Sequence, residues 1–193
     1  ISLAAAALLS AAAAHAADPA KASGGVDAAT AEKLEQQIDT LQQQLEAVRA
    51  DPPHVLVVTG NGRGFCAGQD LGERLGQVER GEEIDLRASL VDTYNPVIRA
   101  LGDLPCVTLA AINGVAAGAG IGIALACDIA IMARSATLAL AFGKIGLAPD
   151  AGVSWWLARQ LGEARALALM LSSAVIGAGQ AMSWGLASQL AED

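Results

Sequence analysis

The sequence predicts an α/β domain with a largely parallel sheet. Short apolar runs rich in β-branched residues alternate with glycine-rich or polar loops and with longer helical patterns, an order typical of this class. Hydrophobic residues make up 53% and charged residues 17% of the 193 residues, so the chain is long enough to bury one core and is not globally disordered. Aromatic residues make up 3%, whereas 21 residues are glycine, so we expect close backbone packing and tight turns.

The clearest predicted helix covers residues 30–50. Thr30 or Asp27 is placed to cap its start, and Pro52-Pro53 end it. Its apolar residues follow at spacings of three and four, which places them on one helix face. They are Leu34, Ile38, Leu41, Leu45 and Val48. The same spacing fits a coiled-coil seam, but two heptads are too few to require one, so packing on a sheet is the favoured interpretation.

Four segments are predicted to be strands. Residues 54–59 and 107–112 are continuous apolar runs with many β-branched residues, which indicates buried strands, the first of them parallel. Residues 128–133 form a third predicted strand and residues 137–141 a fourth. Helices are predicted at 86–103, from the glycine-rich turn 114–122 as far as 126, twice within 152–171, and at 178–185. The polar stretch up to residue 85 is predicted to be a loop or irregular helix.

The chain begins with an alanine-rich segment of low complexity, residues 1–17. It resembles the hydrophobic region of a secretory signal, with Ala14–Ala16 as a small-residue cleavage site, but no charged region precedes it. An alanine-rich helix or a degraded first segment of the fold is the favoured alternative. Residues 18–25 contain proline and a glycine pair and are predicted to be a linker. We therefore expect a leader and linker at 1–25 and a folded core at 26–193.

Charge and cysteine content exclude several classes of protein. The net charge is −8 and no basic stripe is visible, which argues against a nucleic-acid partner. The chain has three widely spaced cysteines, Cys66, Cys106 and Cys127, and only two histidines. A zinc site is therefore not expected. Free cysteines of this kind are typical of small buried side chains in a reducing compartment. We therefore predict a cytoplasmic protein with no metal, no other cofactor and no membrane partner.

Two glycine-rich loops each follow a predicted strand, at the sheet edge where parallel α/β sheets bind ligands. The first contains Cys66–Asp70, and the second contains Ala116–Gly122 and opens a helix. Because the N-terminus of a helix attracts negative charge, backbone N–H groups of the two loops are suited to hold one oxyanion together. The second loop has the pattern GxGxG and not GxGxxG, so a dinucleotide-binding loop is disfavoured. Glycines that serve helix–strand packing alone remain the structural alternative.

Asp150 is the third candidate feature, since it lies in a loop just before a predicted helix. The plain interpretation is an N-cap. Beside an oxyanion site, the same carboxylate is suited to act as a general acid/base or as a nucleophile. Asp128 is better explained as a structural residue at the start of a strand. Ser154 does not lie in a nucleophile elbow, so a Ser-His-Asp hydrolase is disfavoured.

Four motifs resemble the crotonase, or enoyl-CoA hydratase/isomerase, superfamily, and the match runs in order through residues 54–193. The motifs are GNGRGFCAGQDL (60–71), PCVTLAAINGVAAGAG (105–120), ACDIAIMARSA (126–136) and FGKIGLAPDAGVSW (142–155). Within the superfamily, AGQDL, YNPVIR and GLAPDAG look most like the 1,2-epoxyphenylacetyl-CoA isomerase branch. The resemblance implies a ClpP/crotonase-like spiral of ββα units. It also implies a fold incomplete at both ends, because the family's opening hairpin and its C-terminal trimerisation helices have no counterpart here.

The resemblance further implies an acyl-CoA thioester as substrate and assigns roles to single residues. The backbone N–H groups of Gln69 and Ala119 match the oxyanion hole, which binds the thioester oxygen as it becomes an enolate. Asp150 matches the carboxylate that moves the proton. Substrate contacts are expected at Ala67, Gly68, Asp70, Leu71 and Gly118, and Arg63, Arg74 or Lys144 would supply local positive charge for an anionic CoA ester. A homo-oligomer, trimer or hexamer, is the implied assembly.

Two departures from the family pattern favour one branch. The two glutamates of the hydratases fall at Gly122 and Phe142, neither of which moves a proton, so simple hydration is disfavoured. The histidine expected in the aryl-CoA dehalogenases is replaced by Asn95. The favoured function is therefore an acyl-CoA isomerase of fatty acid or phenylacetate catabolism. The alternatives are a non-catalytic acyl-CoA-binding or assembly protein with an incomplete fold, and an enoyl-CoA hydratase or aryl-CoA dehalogenase.

Overall fold

A computed structural model describes residues 40–68 and 90–193. The predicted leader and linker at 1–25 and the polar stretch up to residue 85 lie outside the described residues. In chain order the strands are β1 (Val55–Thr59), β2 (Gly64–Cys66), β3 (Val107–Ile112), β4 (Val115–Ala117), β5 (Ile129–Ala133), β6 (Thr137–Ala139), β7 (Val175–Gly177) and β8 (Gln189–Ala191). The helices are α1 (40–50), α2 (Asn95–Gly102), α3 (Ala119–Ala126), α4 (Val153–Leu161), α5 (Glu163–Ser172) and α6 (Ala178–Ser183).

The strands form two four-stranded sheets, one in the order β1-β3-β5-β8 and one in the order β2-β4-β6-β7. All neighbours in the first sheet are parallel, and in the second sheet only β6 and β7 run antiparallel. The prediction of largely parallel pairing is therefore confirmed. The expectation of one sheet is wrong, because β2 and β4 lie within the segments that the sequence predicts to be glycine-rich loops.

Three pairs of consecutive strands each add one strand to each sheet, and each pair is followed by a helical segment. The pairs β1-β2, β3-β4 and β5-β6 are followed, within the described residues, by α2, α3 and α4 respectively. The closing segment runs in the reverse order, because β7 extends the second sheet before β8 extends the first. This repetition is the spiral of ββα units that the four motifs imply.

Most predicted boundaries lie close to the observed ones. The strand predicted at 107–112 is confirmed without change, and α4 and α5 divide the region 152–171 as expected. Of the helix predicted at 86–103, the described part is a π-helical turn, Leu90–Tyr94, followed by α2. The strand predicted at 137–141 ends at residue 139, where a 3-10 helix, Ala141–Ile145, takes over.

The core is built around α3, in which all eight residues are buried. A helix that is apolar on every side is expected only in such an interior position. The face of α1 that carries Leu41, Leu45 and Val48 packs against the same core, which confirms the predicted amphipathic face for the described part of that helix. The predicted burial of β1 is wrong for one of its faces, because Val55 and Val57 are 47% and 42% exposed.

Thr108 is a polar residue on the buried face of β3, and Asp128 satisfies its hydrogen bonds. One carboxylate oxygen of Asp128 accepts hydrogen bonds from the backbone N–H and from the hydroxyl of Thr108, both at 2.8 Å. The hydroxyl in turn accepts a hydrogen bond from the backbone N–H of Asp128 at 2.9 Å. This arrangement ties β3 to the start of β5, so the prediction of a structural role for Asp128 is confirmed.

Candidate functional site

The end of the first glycine-rich loop lies against the junction of β4 and α3. Gly68 has a φ of +78°, and a β-carbon at this position would lie 2.7 Å from the carbonyl oxygen of Ala117 and 3.0 Å from the amide nitrogen of Ala119. A side chain here would therefore collide with backbone atoms. Gly68 of the first predicted ligand loop therefore contacts residues 117–119 of the second.

The N-terminus of α3 supplies backbone donors at this point. Gly118 is the N-cap, with a φ of +52°, and no side chain caps the helix. The N–H of Ala119 belongs to the first turn, whose N–H groups have no acceptor within a helix, and the helix dipole adds positive character there. Gly120 allows the helix to lie this close to β2, since a β-carbon would come within 2.2 Å of the carbonyl oxygen of Cys66. The arrangement is suited to hold an anionic oxygen.

The loop that carries Asp150 packs on the same turn of α3. A β-carbon at Gly122 would lie 2.0 Å from the carbonyl oxygen of Ala151, so the loop occupies the space where a side chain at 122 would begin. Ala151 is buried and has a φ of +45°, a strained backbone conformation for a residue other than glycine. Asp150 itself is half-buried. The Asp150 loop is therefore tightly packed against α3, and its backbone is strained at Ala151.

The interpretation of Asp150 as an N-cap is wrong. The N-cap of α4 is Gly152, with a φ of +77°, and no side chain forms a cap hydrogen bond. The carbonyl oxygen of Asp150 accepts a hydrogen bond from the N–H of Val153 at 2.8 Å, which closes the turn.

Some of the remaining residues singled out from the sequence lie within the described ranges, and the others lie outside them. Ala67 lies beside Gly68 at the end of the first loop, and Phe142 is buried in the 3-10 helix, 5% exposed. Arg63 and Lys144 are exposed. Gln69, Asp70, Leu71 and Arg74 lie outside the described residues.

Sequence reasoning assigned no role to Asn113, although an Asn-Gly pair directly after an apolar strand is a recognisable turn signal.

The pKa values of the three thiols are raised above the ordinary value of a cysteine. Burial raises the pKa of Cys66 to about 11, against a smaller opposing effect of a backbone hydrogen bond from Gly68. Burial likewise raises the pKa of Cys127 to about 12, and burial together with the charge of Asp128 raises the pKa of Cys106. Thiols held in the neutral form are poor nucleophiles. The prediction of small buried side chains is confirmed for Cys66 and Cys127, whereas Cys106 is half-buried.

Two further properties concern the described part of the chain only. Across residues 40–68 and 90–193, no three or more histidine, cysteine, aspartate and glutamate side chains are grouped so that they would hold a metal ion. No helix within these two ranges combines the length and the apolar character that crossing a membrane requires.

Comparison with known proteins identifies the family. Residues 29–193 match the family model described as enoyl-CoA hydratase/isomerase. The chain is 45% identical to the 1,2-epoxyphenylacetyl-CoA isomerase of Escherichia coli (strain K12) over 163 residues, which cover 84% of this chain and 61% of that protein. It is 35% identical to 4-chlorobenzoyl coenzyme A dehalogenase-2 of Arthrobacter sp over 167 residues, 85% of this chain and 58% of that protein.

Solved structures agree with the sequence comparison. The crystal structure of an enoyl-CoA hydratase from Bacillus anthracis superposes with a TM-score of 0.74 at 33% sequence identity, and the match covers 81% of this chain and 60% of that one. The chain thus spans about three fifths of the length of these relatives, 61% of the isomerase and 58% of the dehalogenase. Fold, family model and relatives lead to one conclusion: the chain belongs to the enoyl-CoA hydratase/isomerase family, with the crotonase fold.

Proposed function

We propose that the chain acts as an acyl-CoA isomerase, with 1,2-epoxyphenylacetyl-CoA or an enoyl-CoA as its substrate. One observation supports this proposal: two loops pack against the start of α3. The end of the first loop does so through Gly68, and the Asp150 loop does so at Gly122. Anion-stabilising N–H groups and a carboxylate-bearing loop are thereby held on one short rigid element, as an enolate mechanism requires.

With an enoyl-CoA as substrate, the proposed reaction moves one proton and one double bond. The thioester oxygen accepts hydrogen bonds from the backbone N–H groups of Ala119 and Gln69. The Asp150 carboxylate removes a proton from a carbon of the acyl chain, and the bonding electron pair moves into the enolate whose oxygen these donors stabilise. The protonated Asp150 then returns the proton to a different carbon, which restores the carboxylate. Each such donor contributes about 3–4 kcal/mol to kcat in comparable sites.

Isomerisation is favoured over hydration because two positions lack carboxylates. The positions that match the hydratase glutamates hold Gly122 and Phe142, and the space next to Gly122 is filled by the carbonyl of Ala151. Neither residue is able to deliver a proton to water or to an acyl carbon. Nucleophilic attack on an aryl-CoA is disfavoured because Asn95 replaces the expected histidine.

We further propose that the loops around the helix turn bind the CoA portion of the substrate. The proposed contacts are Ala67, Gly68, Asp70, Leu71 and Gly118. Since Asp150 takes up one proton and gives one back, the reaction as written balances and needs no cofactor beyond the substrate's own CoA. A homo-oligomer in the cytoplasm is the assembly and location that we expect for it.

The test combines a substrate screen with one isosteric substitution. The wild-type chain is assayed by ultraviolet absorbance on enoyl-CoA and ring-epoxide CoA thioesters, and acyl-CoA binding is measured by calorimetry. We expect Asp150→Asn to abolish turnover while binding persists, and Asp103→Asn, at an exposed aspartate that ends α2, to leave both unchanged. Unchanged turnover in Asp150→Asn would contradict the role of Asp150. Binding without turnover by the wild type would contradict the isomerase and support a non-catalytic acyl-CoA-binding protein.

A further inference from the structure

The side chain of Asn113 connects the end of β3 to the loop between β1 and β2. Its Oδ1 accepts a hydrogen bond from the N–H of Gly60 at 3.0 Å. Its Nδ2 donates to the carbonyl oxygen of Gly62 at 2.8 Å and to that of Gly64 at 3.3 Å. One amide side chain therefore satisfies three backbone groups spread over the whole loop, residues 60–64.

The sequence of this loop does little to fix its shape. Glycine at three of its five positions gives the loop backbone large conformational freedom, and the side chains of Asn61 and Arg63 are exposed. Its packing is nevertheless tight, since a β-carbon at Gly60 would lie 2.0 Å from the carbonyl oxygen of Gly64, and one at Gly114 would lie 2.1 Å from that of Arg63. The Asn113 hydrogen bonds hold the loop in this compact form.

The loop leads directly into the candidate site. Gly64, the last residue held by Asn113, is the first residue of β2 and pairs with Val115 of β4, and the register shifts between Gly64 and Cys66. Two residues beyond β2, Gly68 packs against the amide nitrogen of Ala119. The start of β2 thus sets where Gly68 meets the N-terminus of α3.

We propose that Asn113 is a positioning residue for the oxyanion site: by holding residues 60–64, it sets the distance between the end of the first loop and the N–H of Ala119. This inference rests on the proposed function, because it concerns the donors that would hold the thioester oxygen. Asn113 touches neither substrate nor reacting atoms. Its effect is on how strongly the thioester carbonyl is polarised, and much less on how tightly the CoA portion binds.

The experiment uses a substrate analogue that reports this polarisation. Para-(dimethylamino)cinnamoyl-CoA has a conjugated thioester, whose absorption band moves to longer wavelength when donors pull charge onto the carbonyl oxygen. The wild type is compared with Asn113→Ala, which removes the hydrogen bonds to Gly60, Gly62 and Gly64 and the bond from the Thr59 hydroxyl at 3.5 Å. The second variant is Asn113→Asp, which keeps the shape and the acceptor for Gly60 but loses the donor to Gly62 and Gly64. Asn61→Ala, at an exposed asparagine of the same loop, is the matched control.

We expect the wild type and Asn61→Ala to shift the band equally. Asn113→Ala should bind the analogue with unchanged affinity, lose most of the shift, and lower kcat about 100-fold with little change in KM. If circular dichroism shows that Asn113→Ala does not fold, Asn113→Asp is compared with the wild type instead. We expect Asn113→Asp to give a smaller band shift than the wild type. A wild-type band shift in the folded Asn113 variant would overturn the role of Asn113 alone. Absence of a shift in the wild type would overturn the oxyanion site of the proposed function.

Discussion

Gly122→Ala adds one methyl group at the point where α3 supports the Asp150 loop. The new β-carbon would lie 2.0 Å from the carbonyl oxygen of Ala151, whereas real contacts of this kind are essentially never shorter than 3.0 Å, so the loop must retreat by about 1 Å. Ala151 is buried and already strained at a φ of +45°, which leaves it little freedom to adjust. A displacement of about 1 Å lowers catalytic rates about 100-fold, and overpacking destabilises a core by about 1–3 kcal/mol.

The assay is steady-state kinetics on the best acyl-CoA substrate together with urea unfolding. Gly179→Ala is the matched control, because Gly179 also lies in a helix but has nothing within 4 Å of the added β-carbon. The control should keep wild-type kcat and gain up to about 1 kcal/mol of stability, as alanine generally does over glycine in a helix. If Gly122→Ala kept both the kcat and the stability of the wild type, the support of the Asp150 loop by α3 would be refuted.

Two further predictions concern stability. Because the Cys66 thiol titrates near 9.0 when unfolded and at about 11 when folded, its stabilising contribution is complete below pH 9.0 and is lost as the pH rises to about 11. Over that range the wild type should lose about 3 kcal/mol more unfolding free energy than Cys66→Ala, measured by urea titration at each pH, and parallel pH profiles would contradict this. Asp128→Ala should lower the unfolding free energy by about 1–3 kcal/mol, because Thr108 is left buried without its acceptor. The same substitution in a Thr108→Val background should have a much smaller effect, and equal effects in both backgrounds would disprove the coupling.

The sequence predicts the long elements well because their patterns are local. The apolar run of β3 and the apolar face of α1 each depend on residues within one segment. Both appear as expected, α1 over its described part. The three-residue strands β2 and β4 were missed because three residues show no periodicity and both strands lie within glycine-rich stretches, 60–68 and 114–122. They form strands because the spiral places each of them beside a neighbour, which is a property of the whole fold and not of the segment.

The candidate site was predictable in its parts but not in its assembly. The glycine-rich loops and Asp150 were identified from residue type and position, whereas the contact between Gly122 and Ala151 joins segments far apart in sequence. The same applies to Asn113, whose partners lie 49–53 residues earlier in the chain. Long-range backbone contacts of this kind leave no periodic pattern, so only the three-dimensional structure reveals them.

The central claim is that Asp150 moves a proton of a thioester whose oxygen is held at the N-terminus of α3. Proton NMR of the bound acyl-CoA in deuterium oxide tests it most directly, because each proton that a carboxylate removes is replaceable by solvent deuterium. We predict that the wild type exchanges the hydrogen next to the thioester carbonyl and that Asp150→Asn binds the same acyl-CoA without exchanging it. Exchange at the wild-type rate in Asp150→Asn would contradict the account.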